Sequence, residues 1–545
     1  MVRLCLLNRM RSACMLLVIL LSTPIQGRLQ YNTSGTNPII DLGYAQYKGT
    51  HNSTSGINTW YGLRYAQAPV GELRWQAPMD IESKNDYNPT QTIDAVKPGP
   101  SCLQGVPSWY GRRPNLTSTE SEDCLLLDVL VPAKPASSNL PVMVQIHGGG
   151  YTTLSAASNP GNALVYQSQE NLIYVAIQYR LGALGFLGGS QVLANGAANA
   201  GLLDQRAALI WVQRHIGKFG GDPSKVTIIG GSAGGGAVVN HMMLYGGVTN
   251  PPFRAVIAEY PWMQPYHNSS TLERQFGYLC EASGCKDLEC LRELPLPQLR
   301  NATDKTYMLG YQNGDYGHGD YYFGPYIDGN IIRDLPSNEF KQGRFTKVPF
   351  LTSREGYEGY FFTNMTEERE TPAGLTRTLE NLFPYAKQSF FSRLFQLYPR
   401  ENYNSTLFQH SAIFGDFIIA CPSTYIAAAV SDWELPVWKY SFYAGSQTHG
   451  AILPFVETVS LEGDSNNATL ASILRNYYIS FVVSLDPNAV KFTSINHANW
   501  PRYQAEGIPS FKILNITYST VQPSDDLDVR PQCDFFHSQS YVVRN

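Results

Sequence analysis

A serine flanked by glycines follows an apolar run, and its surroundings are typical of a reactive nucleophile. Residues 226–229 are Val, Thr, Ile and Ile, a short β-branched run that favours a buried strand. The chain continues as Gly230-Gly231-Ser232-Ala233-Gly234, which fits the pattern G-x-S-x-G, and residues 237–245 then favour a helix. Glycines are needed beside such a serine because strand and helix pass closely at a strained turn. We therefore predict that the Ser232 hydroxyl lies beside the free N–H groups at a helix N-terminus.

Three glycines upstream could supply hydrogen-bond donors to the same site. Residues 147–150 read His-Gly-Gly-Gly and directly follow a predicted strand at 141–146. Without side chains in the way, the backbone N–H groups of such a loop can turn toward one point. Acyl transfer needs donors of this kind, because a tetrahedral intermediate carries negative charge on the former carbonyl oxygen. Because it precedes a G-x-S-x-G turn, the loop is predicted to form an oxyanion hole.

Two glutamates and one histidine downstream could complete a catalytic triad. A predicted strand at 348–352 leads into Glu355-Gly356 and Glu358-Gly359, and either carboxylate could orient an imidazole. After another predicted strand at 437–442, His449 stands in a glycine-containing loop, a suitable place for a general base. The order serine, acid, histidine is that of α/β-hydrolases. The local residues alone do not choose between the two glutamates.

Strand and helix signals alternate around these residues. Apolar strands are predicted at 125–131, 141–146, 172–179, 226–229 and 253–258, and helices at 200–216 and 470–483. This alternation favours an α/β fold with a parallel sheet. Residues 265–345 are predicted to be irregular, and no repeat or linker marks a domain boundary.

Composition excludes some classes of function. The formal net charge is -4 and no basic run occurs, so no nucleic-acid partner is expected. No cysteine pair has metal-site spacing, and we expect no metal and no cofactor. With 43% hydrophobic residues, the 545-residue chain can build a large core.

The N-terminus has the pattern of a secretory signal peptide. Arg3, Arg9 and Arg11 precede an apolar run at 15–21, and small residues follow as far as Gly27. We predict a signal peptide over 1–27, a mature chain over 28–545, and secretion to the extracellular space. The apolar run is too short for a stable membrane span. N-linked glycans are expected at some of nine sequons: Asn32, Asn52, Asn115, Asn268, Asn301, Asn364, Asn404, Asn467 and Asn515.

Taken together, the motifs resemble those of the type-B carboxylesterase/lipase family, the cholinesterase-like α/β-hydrolases, and most closely its secreted fungal-style carboxylesterases. The resemblance is carried by YGLRYAQAPVGELRW at 61–75, SEDCL at 121–125, NAGLLDQRAALIWVQRHIGKFGGDP at 199–223, the serine turn, YIDG at 326–329, Glu358-Gly359, His449-Gly450 and Trp500-Pro501. It covers nearly the whole mature chain. The resemblance implies a single α/β-hydrolase domain over 28–545, with a large, mixed but mostly parallel central sheet flanked by helices.

The resemblance also assigns roles to residues. It implies Ser232 as the nucleophile, His449 as the general base and Glu358, rather than Glu355, as the acid, because the alignment runs from Pro349 through the aromatic residues 360–362. The implied oxyanion donors are the N–H groups of Gly149, Gly150 and Ala233.

The seven cysteines of the mature chain are an odd number, so at least one thiol is expected to be free or to pair between chains. By resemblance, Cys102 pairs with Cys124 and Cys421 with Cys533. Cys290 pairs with Cys285, although Cys280 competes for it.

Two departures from the family pattern bear on the substrate. The family usually has Glu at position 231 and Gln-Ser at 259–260, whereas this chain has Gly231, Glu259 and Tyr260. Cholinesterases also keep a choline-binding tryptophan where this chain has Pro114, and Trp109 lies several residues away. Loss of the acid and the ring would weaken recognition of a quaternary ammonium group. Tyrosines within 311–326 could instead line a pocket for neutral esters.

We therefore predict a secreted serine carboxylic-ester hydrolase that acts on small-molecule or lipid esters, with neutral esters preferred. Triacylglycerol lipase activity is the alternative, and choline-ester hydrolysis is disfavoured. A rival of another class is a catalytically inactive, cholinesterase-like adhesion protein. Such proteins typically lack the serine or the histidine, and this chain keeps both.

Overall fold

A long mixed sheet forms the centre of the molecule. The computed structural model describes residues 37–83, 91–110, 119–363, 371–462, 467–503 and 511–545. The predicted signal peptide, the sequons Asn32, Asn115 and Asn364, and Pro114 lie outside these residues.

Sixteen strands lie within the described residues, and eleven of them form the main sheet. In chain order they are β1 Ile39–Asp41, β2 Gln46–Lys48, β3 Thr50–Asn52, β4 Ile57–Arg64, β5 Thr92–Asp94, β6 Ser101–Cys102, β7 Glu120–Ser121, β8 Leu126–Pro132, β9 Leu140–Ile146, β10 Ile173–Ile177, β11 Gly221–Gly231, β12 Ala255–Glu259, β13 Phe350–Glu355, β14 Val437–Phe442, β15 Lys512–Ile516 and β16 Val521–Asp525. The main sheet has the order β16-β15-β14-β13-β12-β11-β9-β10-β8-β4-β3. The seven strands from β15 to β10 run parallel, whereas β16, β8, β4 and β3 pair antiparallel at the two edges. The predicted mixed, mostly parallel sheet is confirmed.

Helices cover this sheet. Those described are Asn162–Gln167, Gly182–Phe186, Ser190–Asn195, Ala200–His215, Ala233–Met243, Ser269–Ser283, Leu288–Glu293, Leu296–Gln312, Pro336–Lys341, Pro372–Leu382, Gln388–Leu397, Thr406–Gly415, Cys421–Ser431, Leu453–Val456, Ala468–Ser484, Pro531–Ser538 and Ser540–Val543. Every residue of β8, β9, β10, β12, β13 and β14 is buried, which explains why these strands read as continuous apolar runs rather than alternating ones.

The prediction of an irregular stretch at 265–345 was wrong, because four helices occupy much of it. Ser269–Ser283 begins at Asn268, whose side chain accepts a hydrogen bond from the Thr271 N–H. Its buried residues Leu272, Phe276 and Leu279 follow helical spacing. The cap and the spacing were both present in the sequence.

One helical segment, Thr406–Ser431, is long and apolar enough to cross a membrane by length and composition alone. It contains a π-helical turn at Asp416–Ala420 between two α-helices. Its most apolar window is 83% buried within the protein, as expected for a core helix. No other described helix meets the same criteria.

Within the described residues, three disulfides join parts of this fold. Cys102 is bonded to Cys124 and Cys421 to Cys533, and the latter bridge attaches the C-terminal helix Pro531–Ser538 to the core. Cys285 is bonded to Cys290, five residues away, while Cys280 is a buried free thiol. The structure therefore resolves the alternative that the sequence left open between Cys285 and Cys280.

Candidate active site

The candidate site lies at the carboxyl end of the parallel strands, where ligands bind in open α/β sheets. β9 ends directly before His147, β11 directly before Ser232, and β13 a few residues before Glu358. The loop after β14 carries His449. Because all four strands are parallel, residues far apart in the chain meet at one edge.

Ser232 lies on the predicted strand-to-helix turn. Its backbone has φ 59° and ψ −127°, an uncommon conformation for a residue with a side chain, and the helix Ala233–Met243 begins at the next residue. A Cβ at Gly234 would lie 2.0 Å from the Ile146 carbonyl oxygen, so β9 passes too closely to allow any side chain there. The structure thus places the helix start four residues earlier than the sequence indicated, immediately after the serine.

His449 bridges Ser232 and Glu358. Its Nε2 lies 2.8 Å from Ser232 Oγ, and its Nδ1 lies 2.7 Å from Glu358 Oε2. The side chain of His449 is 10% exposed and that of Glu358 is 3% exposed, so the pair is shielded while the histidine still reaches the site. This geometry allows the imidazole to take a proton from the serine while the carboxylate fixes its tautomer.

Glu355 has a different position from Glu358. Its carboxyl group accepts hydrogen bonds from the N–H groups of Ala451 at 2.6 Å and Ile452 at 3.1 Å. Burial and the neighbouring Glu358 carboxylate raise the pKa of Glu355 well above its ordinary value. Glu355 therefore anchors the chain just after His449 and does not contact the imidazole.

The glycine loop after β9 lies against the serine. A Cβ at Gly148 would approach Ser232 Cβ to 3.1 Å, and both Gly149 and Gly150 have positive φ, 95° and 62°. Among the described residues, none accepts a hydrogen bond from the N–H groups of Gly149, Gly150 or Ala233. Three donors near the nucleophile are therefore available to an incoming oxygen atom.

His147 is packed at the start of this loop. It is buried and stacks on the Tyr179 ring at 4.5 Å, and its Nδ1 lies 2.9 Å from the Gly148 carbonyl oxygen. Burial lowers the pKa of His147 to about 4, so the ring is neutral at physiological pH.

Aromatic rings surround the triad, and the sequence did not identify most of them. The ring centroids of Phe362 and Trp262 lie 4.9 and 6.1 Å from that of His449. Tyr321 covers the glycine loop so closely that a Cβ at Gly150 would lie 2.1 Å from its ring. Trp109 packs on Tyr321 at 5.5 Å and is partly buried.

These rings come from four separate segments, so no local pattern connects them. Of the tyrosines at 311–326, which could line a pocket for neutral esters, Tyr321 lies against the glycine loop. Tyr316 and Tyr322 stack on each other elsewhere at 4.5 Å.

Within the described part of the chain, no group of three or more His, Cys, Asp or Glu side chains could hold a metal ion. The arrangement at Ser232 could serve as a nucleophile, a base, an acid and backbone donors, which together would be a complete set for acyl transfer.

Known proteins are similar to this chain in sequence and in fold. The sequence profile described as the carboxylesterase family matches residues 36–535. The carboxylesterase patB of Aspergillus clavatus is 31% identical over 508 residues, covering 83% of this chain and 88% of that protein. Secreted lipase 1 of Botryotinia fuckeliana is 32% identical over 499 residues, covering 82% of this chain and 84% of that protein.

A solved structure agrees over an even larger part of the chain. The crystal structure of Aspergillus niger EstA superposes with a TM-score of 0.81 at 29% identity, covering 94% of this chain and 99% of that one. The arrangement of strands that brings the site residues together is therefore shared with a protein of similar length.

Proposed function

The chain belongs to the carboxylesterase family, and from this premise we propose that it is a secreted serine hydrolase that cleaves neutral carboxylic esters through an acyl-enzyme. Hydrolysis of a carboxylic ester is the activity common to the family. The observation that carries the finer proposal is the contact of His449 with Ser232 at 2.8 Å and with Glu358 at 2.7 Å.

The reaction proceeds in two steps at Ser232. His449 Nε2 takes the hydroxyl proton as Oγ attacks the ester carbonyl, and the same nitrogen then gives the proton to the departing alcohol. Water, activated by His449 in the same way, hydrolyses the acyl-enzyme. Glu358 holds Nδ1 and stabilises the imidazolium that forms in each step.

The N–H groups of Gly149, Gly150 and Ala233 stabilise the oxyanion. Each such donor is worth about 3 kcal/mol of transition-state stabilisation. The absence of a competing acceptor for these groups among the described residues supports this role.

A preference for neutral esters is supported by the surroundings of the serine. Gly231 brings no carboxylate beside Ser232, and the neighbouring walls are the rings of Trp109, Tyr321 and Phe362. Aromatic faces are thus present beside the serine. The expectation that esters with a cationic alcohol group are poor substrates therefore rests on the absence of an acidic side chain at position 231, and not on the absence of an aromatic ring. Aromatic walls suit apolar acyl or alcohol groups.

Secretion and glycosylation are part of the same proposal. The signal-like pattern at 1–27 supports export, as does the name of the secreted lipase from Botryotinia fuckeliana. Asn301 and Asn404 are exposed and suit glycan attachment, whereas the side-chain oxygen of Asn515 is buried within strand β15. Export of the full chain, N-terminal sequencing and glycosidase treatment test these points. A secreted product still beginning at Met1 would contradict the predicted cleavage.

A substrate panel tests the reaction. We expect the secreted protein to hydrolyse p-nitrophenyl esters of short and medium chain length more efficiently than butyrylthiocholine of equal acyl length. Ser232→Ala should lower kcat by about 10⁴-fold or more. It should also abolish labelling by a fluorophosphonate, while the circular dichroism spectrum stays unchanged. Preference for butyrylthiocholine would overturn the neutral-ester proposal.

The same panel distinguishes the alternatives. Faster turnover of an emulsified triglyceride than of dissolved esters would identify a lipase, which the names of several relatives favour. No turnover and no labelling of the folded wild-type protein would identify a binding protein and overturn the proposed function.

A further inference from the structure

Position 231, directly before the proposed nucleophile, is a glycine, although the backbone conformation at this position does not require glycine. The φ of Gly231 lies outside the left-handed region that favours glycine, so an L-residue could adopt the same conformation. Gly231 is the last residue of β11 and is buried. Another part of the structure must therefore exclude a side chain at this position.

That part is the side chain of Tyr260. A Cβ at Gly231 would lie 2.3 Å from the Tyr260 hydroxyl oxygen and 2.6 Å from Cζ of the same ring. Tyr260 is 2% exposed, and burial raises the pKa of its hydroxyl well above the ordinary value. A neutral phenol thus fills the space beside Ser232.

Tyr260 takes this position in an unfavourable backbone conformation. Its φ is 32°, although bulky residues rarely adopt positive φ and such a conformation is energetically costly. A strained backbone of this kind persists where the surrounding contacts hold it in place, and such residues are concentrated at functional sites.

The segment that carries Tyr260 also holds the nucleophile. The Ser232 N–H donates to the Glu259 carbonyl oxygen at 3.2 Å, and the Trp262 N–H donates to the Ser232 carbonyl oxygen at 2.8 Å. The Tyr260 N–H is itself fixed by Ser353 Oγ at 3.0 Å. A shift of this segment would therefore move both Ser232 and the Tyr260 ring.

The ring of Tyr260 packs against the candidate base. Its centroid lies 5.0 Å from that of His449, with the two planes at 79°. Hydrogen bonds to Glu358 and Ser232 fix the two nitrogens of the imidazole, but they leave rotation about the line between them less restricted. A ring packed edge to face restricts that rotation.

We propose that Tyr260 is a positioning residue for His449, and that Gly231 is present because the Tyr260 ring fills the volume beside the nucleophile. This inference rests on the proposed function and deepens it. Among the described residues the Tyr260 hydroxyl has no hydrogen-bond partner, so the ring rather than the hydroxyl performs this role.

Substitution of the ring tests the proposal. Tyr260→Leu should lower kcat for p-nitrophenyl butyrate by about 10- to 100-fold, because small misplacements of a catalytic group have effects of this size. KM should stay within about 3-fold of the wild-type value, since the ester-binding walls remain. Tyr260→Phe keeps the ring and should stay within about 3-fold in kcat.

Phe390→Leu is a matched control, because it also removes a buried ring. Phe390 is 5% exposed and packs on Phe383 and Phe535, outside the candidate site. Titration with a fluorophosphonate counts competent serines in each variant. If the fluorophosphonate titrates every Ser232 in Tyr260→Leu and turnover is nevertheless slow, the result supports the role of Tyr260 in positioning His449. A fall in kcat that merely follows the titrated fraction, or an equal fall in Phe390→Leu, would overturn it.

A double-mutant cycle tests the link to Gly231. Gly231→Ala alone should lower kcat/KM by more than about 30-fold, whereas adding it to Tyr260→Ala should cost less than about 3-fold. If Gly231→Ala lowers kcat/KM by the same factor in the wild type and in Tyr260→Ala, the steric link between Gly231 and Tyr260 would be overturned. Absence of turnover by the wild-type protein would instead contradict the proposed function, so the two failures are distinguishable.

Discussion

The backbone N–H of Glu355 donates a hydrogen bond of 2.6 Å to Oε1 of Glu358. Glu355, at the end of β13, and Glu358, three residues later, are thus connected by a hydrogen bond, although their carboxyl groups bind different partners. Glu358 uses its other oxygen on His449, while Glu355 holds the N–H groups of Ala451 and Ile452. The backbone bond from Tyr357 N–H to the Gln447 carbonyl, 2.7 Å long, further joins the loops that carry the acid and the histidine.

This difference predicts unequal effects of the two amide substitutions. Glu358→Gln should lower kcat by about 10²- to 10⁴-fold, because the amide cannot stabilise the imidazolium or fix the required tautomer. Glu355→Gln should lower kcat by less than about 10-fold, since the side chain keeps one acceptor oxygen for the loop. Steady-state kinetics on p-nitrophenyl butyrate measure both. A larger loss in Glu355→Gln would show that the wrong acid has been assigned.

A methyl group at Gly150 should disable the oxyanion loop. Gly150→Ala introduces a Cβ 2.1 Å from the Tyr321 ring at a residue with φ 62°, so both the loop and the ring must move. We expect kcat to fall by about 10²- to 10³-fold, the range seen on loss of an oxyanion donor. Gly217→Ala is the control, because nothing lies within 4 Å of its Cβ. Comparable losses in the two variants would contradict this role for the loop.

Activity should depend on pH through the base. Protonated His449 cannot accept the Ser232 proton, so kcat/KM should fall as acid protonates the imidazole in the free enzyme. A pH–rate profile with a neutral ester, for which the substrate itself does not titrate, measures this. Activity that stays level well into the acid range would argue against a histidine base.

Stability should depend on pH through buried carboxyl groups behind the site. Burial raises the pKa of Glu259 from 4.5 to about 7, while the Tyr478 hydroxyl donates to it at 2.5 Å. The folded state therefore binds this proton more tightly than the unfolded state. Its stabilising effect is complete below about pH 4.5 and is lost as the pH rises through about 7.

The measurement compares urea unfolding of the wild type and Glu259→Gln between pH 5 and 8. The amide keeps an acceptor for Tyr478 and never ionises, so the variant should lose less stability over this interval. Glu355 and Glu457, whose pKa values are also raised by burial, remain in both proteins, but the Glu259 carboxylate raises these two pKa values further, so the variant removes that contribution as well. Identical pH dependence in the two proteins would show that Glu259 is not the titrating group.

The disulfides should contribute unequally to stability. Cys421 and Cys533 are 112 residues apart and Cys285 and Cys290 only 5. In the chain-entropy treatment, closing these loops is worth about 5 and about 2 kcal/mol, respectively. Replacing the first pair by serine should therefore lower the free energy of unfolding more than replacing the second. The reverse order would mean that native contacts, not loop length, dominate.

Local sequence determined the elements that build the site. β-branched runs gave the buried strands, and the glycines around Ser232 and after His147 marked the two turns, because close backbone approach demands glycine whatever the rest of the chain does. The order serine, acid, histidine along the chain, which is that of α/β-hydrolases, then predicted that these residues would form one site. The helices within 265–345 could also have been found from the Asn268 cap and the spacing of their apolar residues.

Tertiary structure decided what depends on distant parts of the chain. Glu355 and Glu358 lie three residues apart on the same segment. The direction in which the loops pack determines that His449 contacts Glu358 rather than Glu355. The rings of Trp109, Trp262, Tyr321 and Phe362 meet around the site although they come from four segments. Gly231 appeared in the sequence only as a missing acid. Its steric cause, the ring of Tyr260, became visible in three dimensions because volume is shared between side chains that no local pattern connects.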